Sequence, residues 1–134
     1  MKHITVLYTL VCDDVRREDN GKEIIIGVYS SDIRVSRFPA NMRLVFWMQA
    51  IIGSVKYNTF QFRVIGPNEV ELAAADVELE MQSQAGVIGT IPLRVPIQIQ
   101  SAGDLRLEAR DGPNDQWEEL KRIPVVQGEP SARR

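Results

Sequence analysis

The chain has little with which to do chemistry. Among its 134 residues there is one cysteine, Cys12, and one histidine, His3. A single cysteine cannot close an internal disulfide, which points to a reducing, cytoplasmic setting. Together the two residues cannot supply the four ligands of a structural zinc site. A Ser-His-Asp or Cys-His arrangement would need His3 as its base. Along one extended strand His3 and Cys12 would stand about 30 Å apart, at ~3.3 Å per residue. Neither charge sign dominates, with 16 Lys+Arg against 18 Asp+Glu and a net charge of −2. Nucleic-acid binding by phosphate neutralisation is therefore not expected. Long apolar runs are absent too, and nothing approaches the ~20 residues of a membrane span. The opening MKHITVLYTLVC imitates a lipoprotein signal, but Thr5 and Thr9 interrupt it, and Val11 stands where a small residue is required. Gly86, Gly89 and Gly103 are scattered and build no phosphate-binding loop, so no cofactor is expected.

What the chain does have is β-branched residues. It carries 13 isoleucines and 14 valines against nine leucines and nine alanines. Branching at Cβ restricts χ1 in helices and suits a pleated surface. Period-2 alternation follows. Ile91, Leu93, Val95, Ile97 and Ile99 alternate with Pro92, Arg94, Pro96, Gln98 and Gln100. Phe60, Phe62 and Val64 alternate with Gln61 and Arg63, and Leu105, Leu107 and Ala109 with Asp104, Arg106, Glu108 and Arg110. Each reads as a strand with one dry and one wet face. Asp19-Asn20-Gly21 supplies a hairpin turn between strands at about 3–12 and 22–29. Gly66-Pro67-Asn68 and Asp111–Asp115 separate later strands.

These signals predict an all-β fold: a single antiparallel β-sandwich, immunoglobulin-like or C2-like, of about eight to ten strands. The domain is expected to span residues 1–126, with the polar 127–134 (QGEPSARR) as a disordered tail. Pro92 and Pro96 share parity, so their missing N–H groups face one side and predict an edge strand. Apolar parity switches across 70–81, which predicts a bulge or bend near Ala73-Ala74-Ala75. Asp115–Glu118 has the form of a helix-start capping box, yet a strand is favoured there over a helical turn.

CDDVR at 12–16, GK at 21–22, IIGVY at 25–29 and FP at 38–39 resemble a family of small, uncharacterised, mostly bacterial proteins. Phe62-Arg63-Val64 and Gly103–Leu107 leading into Asp111-Gly112 are similar to the later part of that pattern. The resemblance implies a single β-sandwich domain of unknown function. It carries over no catalytic residue.

Cys12 shares parity with Ile4, Val6 and Leu10 and is expected on the core face, its thiol raised by the carboxylates beside it. Asp13, Asp14, Glu18 and Asp19 crowd the first hairpin, with Asp32, Asp111 and Asp115 able to join them if loops converge. The rival expectation is a small-ligand or Ca²⁺-binding module using these acidic loop ends; a hard cation takes such oxygens, with Asp13, Asp14 and Asp32 the foremost candidates. Against this, Arg16 and Arg17 interleave the acids and no D-x-D-x-D-G run exists. A carboxylate-based hydrolase is a further alternative, though nothing separates its acids from surface acids.

The segment 42–52 is apolar on both parities. Met42, Leu44, Phe46, Met48, Ala50 and Ile52 form one face; Val45, Trp47 and Ile51 lie on the other, between Arg43 and Gln49. A sandwich has one inner face per sheet, so a neighbouring loop or the tail covers Trp47, or the second face is an interaction patch. Leu7 and Val11 would extend that patch if the strands are adjacent. The expectation is a non-enzymatic module acting through protein contacts, as a homo-oligomer or with an unknown protein partner. On that reading Trp47→Glu abolishes association and spares the fold.

Overall fold

The computed structural model describes residues 4–52, 57–80 and 87–129. Nine strands lie within them: β1 (Ile4–Arg17), β2 (Glu23–Val28), β3 (Ile33–Val35), β4 (Ala40–Ile52), β5 (Tyr57–Ile65), β6 (Glu71–Glu80), β7 (Val87–Ile99), β8 (Gly103–Arg110) and β9 (Glu118–Gln127). They form two sheets, one of four strands in the order β2-β1-β4-β7 and one of five in the order β3-β9-β8-β5-β6. All these pairings are antiparallel except β3 with β9. The molecule is the all-β sandwich that the alternation predicts.

The core lies between the sheets because each strand turns its apolar parity inward. Leu44, Phe46 and Met48 of β4 and the odd positions of β7 meet Phe60, Phe62, Val64, Leu105 and Leu107 from the other sheet. Full burial of one such side chain stabilises the fold by about 1.5–3 kcal/mol. β7 is an edge strand, with Pro92 opposite Trp47 and Pro96 opposite Arg43, so neither proline removes a needed donor.

The parity switch of 70–81 comes one residue earlier than expected. Val64 pairs with Ala73 and Ile65 with Glu71, which leaves Leu72 as the extra residue of a bulge. Ala73, Ala75 and Val77 then pack on the core while Ala74 is exposed. Gly66 makes room for this bulge, since a Cβ there would come within 2.6 Å of Leu72 Cδ1. The capping-box segment runs into β9, as a strand. β9 continues to Gln127, and Gly128 N donates to Val35 O at 2.9 Å, just past the expected boundary. His3, Met81, Gly86 and residues 130–134 lie outside the described residues.

Candidate functional site

The outer face of β4 is explained by what happens to β1. Val6 pairs with Ala50 and Tyr8 with Gln49, so Leu7 is an extra residue that flips the parity of everything after it. Val11 therefore falls opposite Phe46 and is fully buried in the core, which corrects its expected place on the outer patch. Cys12 moves the other way, opposite Val45 on the outer face. Leu7 itself is 45% exposed.

Beyond Cys12, β1 leaves β4, and Asp14–Arg17 pair with β2 alone. The resulting hairpin lies across the outer face of β4 and β7. Arg94 Nη2 of β7 donates to Val15 O at 2.7 Å. Glu23 Oε1 of β2 accepts the Trp47 indole N–H at 3.1 Å and the Thr90 hydroxyl at 2.6 Å. Beneath these bonds Cys12, Val15, Val45 and Trp47 form a second apolar cluster, with Leu10 and Ile25 packed against it. The hairpin thus covers Trp47, where a loop or the tail was expected. Trp47 is 8% exposed and Val45 is buried, so neither is a contact residue. The turn chemistry is as the sequence requires: Gly21 has φ +88°, and Lys22 N donates to Asn20 Oδ1 at 3.0 Å. Burial pushes the Cys12 thiol up, and the Asp13 and Asp14 carboxylates add to the rise. Its Sγ contacts the Val45 and Asp14 carbonyls at 3.6 Å, so this is a structural thiol.

The hairpin leaves the far end of β4 and its flanking strands uncovered. Leu7 and Tyr8 of β1, half-buried Ile51 of β4 and Ile88 of β7 share the remaining outer face. Ile51 pairs with Ile88 on one side and Thr5 on the other, and the Tyr8 ring meets Trp47 at a tilt of 41°, centroids 5.7 Å apart. Tyr8 is 49% exposed and Ile88 59%. Neither was singled out in the sequence, although Ile88 occupies the wet parity of β7 together with Thr90, Pro92 and Arg94.

The acidic residues do not converge on a metal. Among the described residues no group of three His, Cys, Asp or Glu side chains is placed to hold one. Asp13 accepts the Tyr29 hydroxyl at 2.5 Å, and Asp14 accepts Val15 N and Arg16 Nε at 2.9 and 3.1 Å. Asp32 pairs with Arg34 at 3.4 Å and Glu18 with Lys22 at 3.8 Å. The Arg16 contact holds the Asp14 carboxyl below its ordinary value, while burial and then the Asp13 contact raise the Tyr29 phenol.

The outer face of the five-stranded sheet is built differently. Trp117 packs against the guanidinium groups of Arg63 and Arg110, each 4.2 Å from the ring centroid. Arg110 Nε donates to Gln61 Oε1 at 2.6 Å, and Arg63 and Arg106 both donate to Glu108, at 2.7 and 2.9 Å. Arg106 reaches on to Glu69 at 2.9 Å. Burial alone would raise Glu108; the Arg106 and Arg63 hydrogen bonds outweigh it and hold its pKa below the ordinary value.

A family described as a family of unknown function, DUF6941, matches residues 7–110 of this chain. No curated protein matches it. Among solved structures, the C-terminal domain of wzt is similar in fold, with a TM-score of 0.52 at 9% identity over 96% of this chain and 77% of that one. A β-glucosidase from Erythrobacter marinus aligns with a TM-score of 0.45 at 10% identity, over 92% of this chain and 15% of that one. Among the described residues no helix is long and apolar enough to cross a membrane.

Proposed function

We propose, for a chain that belongs to the family of unknown function DUF6941, a non-catalytic role as a β-sandwich module that associates through the uncovered outer face of its four-stranded sheet. One observation carries the reading. Leu7 and Tyr8 of β1 and Ile88 of β7 are each about half exposed on the two strands that flank β4, around Ile51 and beside the buried Trp47 cluster. Contiguous exposed apolar and aromatic side chains mark contact surfaces. The contact residues are then Leu7, Tyr8, Ile51 and Ile88, in place of the covered Val45 and Trp47 and the core residue Val11. The partner the face suits best is a second copy, because an apolar patch crossed by a two-fold axis meets itself.

Light scattering coupled to size exclusion, at two protein concentrations, tests this. The expected result is a mass of at least twice 15.2 kDa, returning to the monomer in Ile88→Glu. A monomer at both concentrations, or an oligomer that Ile88→Glu and Tyr8→Glu leave intact, overturns it.

A further inference from the structure

A pocket of about 300 Å³ opens where β1 leaves β4, and Asp13, Asp14, Arg43, Val45, Arg94 and Pro96 line it. Its polar groups carry both signs of charge. Arg94 donates one N–H to Val15 O, which leaves most of its guanidinium donors unspent. Arg43 is exposed and, among the described residues, makes no hydrogen bond or ion pair. An ionised carboxylate has about four lone-pair sites. Asp14 uses two, for Val15 N and Arg16 Nε, and Asp13 uses one, for the Tyr29 hydroxyl. Neither aspartate is ion-paired with Arg43 or Arg94 among the described residues.

Asp13 is held by one hydrogen bond and lies close over a glycine. Tyr29 fixes one carboxylate oxygen, and the other lies where a Cβ on Gly27 would come within 2.3 Å of it. Gly27 has φ +70°, so the position favours glycine on backbone grounds as well. The pocket therefore presents a pre-set acid together with the free guanidinium of Arg43 and the remaining donors of Arg94, beside the exposed ring of Pro96. Opposite charges that face one pocket with no direct ion pair between them are complementary to a ligand carrying both.

We infer that this pocket binds a small aliphatic zwitterion, an α-amino acid, with its carboxylate on Arg43 and Arg94, its ammonium on Asp13 and Asp14, and its side chain against Pro96. The site is separate from the association face and stands whether or not the chain self-associates.

Three probes of one shape test it by calorimetry on the full chain: L-valine, isobutyrate, which keeps the carboxylate alone, and isobutylamine, which keeps the ammonium alone. L-valine binds saturably and roughly tenfold or more tighter than either half, since each charge-assisted contact is worth about that factor. Arg43→Gln weakens L-valine by a similar factor with the melting temperature unchanged, because that side chain supports nothing else in the fold. Asp13→Asn, which keeps an oxygen for Tyr29, does the same. Three results overturn the inference: no saturable binding of L-valine, isobutyrate binding as tightly as L-valine, or Arg43→Gln binding L-valine like the native chain.

Discussion

The two tryptophans of this chain sit on opposite outer faces of the sandwich, and different physics holds each. Trp47 is roofed by the β1–β2 hairpin, packed on Cys12, Val15 and Val45, with its N–H spent on Glu23. Trp117 lies against the guanidinium groups of Arg63 and Arg110, within a chain of side-chain bonds running through Glu108 to Glu69. One outer face is closed by burial and the other by charge. A β-sandwich needs only its inner faces dry, so each device is an addition, and each is separable by mutation.

The largest expected effect is on the apolar side. Trp47→Ala removes a buried aromatic and leaves Glu23 without its indole donor, and should cost about 3–5 kcal/mol in urea denaturation. Trp47→Glu places a charge in the same cluster and should unfold the chain, which reverses the expectation that it spares the fold. Trp117→Ala should cost about 1–2 kcal/mol, the worth of two cation–π contacts at a half-exposed site. Equal losses at the two tryptophans would mean that the faces do not differ as described.

The charged face should also respond to pH. Glu108 is held below its ordinary 4.5 by two arginines. A carboxylate depressed on folding adds stability that is full above its unfolded value and is lost as pH falls through the folded one. Glu108→Gln should therefore cost about 1–2 kcal/mol at neutral pH, with Arg63 open enough to water to screen part of the interaction. The gap between native and variant melting temperatures should then narrow below pH 4.5. A gap that stays constant from neutral pH to well below that value would remove Glu108 from the account.

The sequence showed one face more clearly than the other, for a physical reason. β7 alternates without interruption from Ile91 to Gln100, and its two prolines mark it as an edge before any pairing is known. The hairpin turn is equally local, because Asn20 and Gly21 carry their own backbone preferences. β1 is different. In ITVLYTLVC apolar residues occupy both parities, so no period-2 reading reveals the bulge at Leu7, and the faces of Val11 and Cys12 exchange. The bonds that hold the hairpin down join Glu23 to Trp47 and Thr90, residues far apart in the chain, and no local pattern encodes them. Arg63, Arg110 and Trp117 are individually ordinary surface residues until the register of β5 and β8 sets Gln61 opposite Arg110.

The smallest expected effect on stability is the most informative about function. Ile88 is 59% exposed at a position where β7 otherwise carries polar residues or proline. Charging an exposed strand position away from the core normally changes stability by no more than about 0.5 kcal/mol. Ile88→Glu should therefore unfold in urea like the native monomer while its oligomer mass falls. If the same substitution costs several kcal/mol, Ile88 is buried within the protomer under working conditions, and the apolar face is closed from inside as Trp47 is. Stability unchanged with association lost would place this uncovered stretch of the sheet outside the needs of the fold, kept apolar for contact.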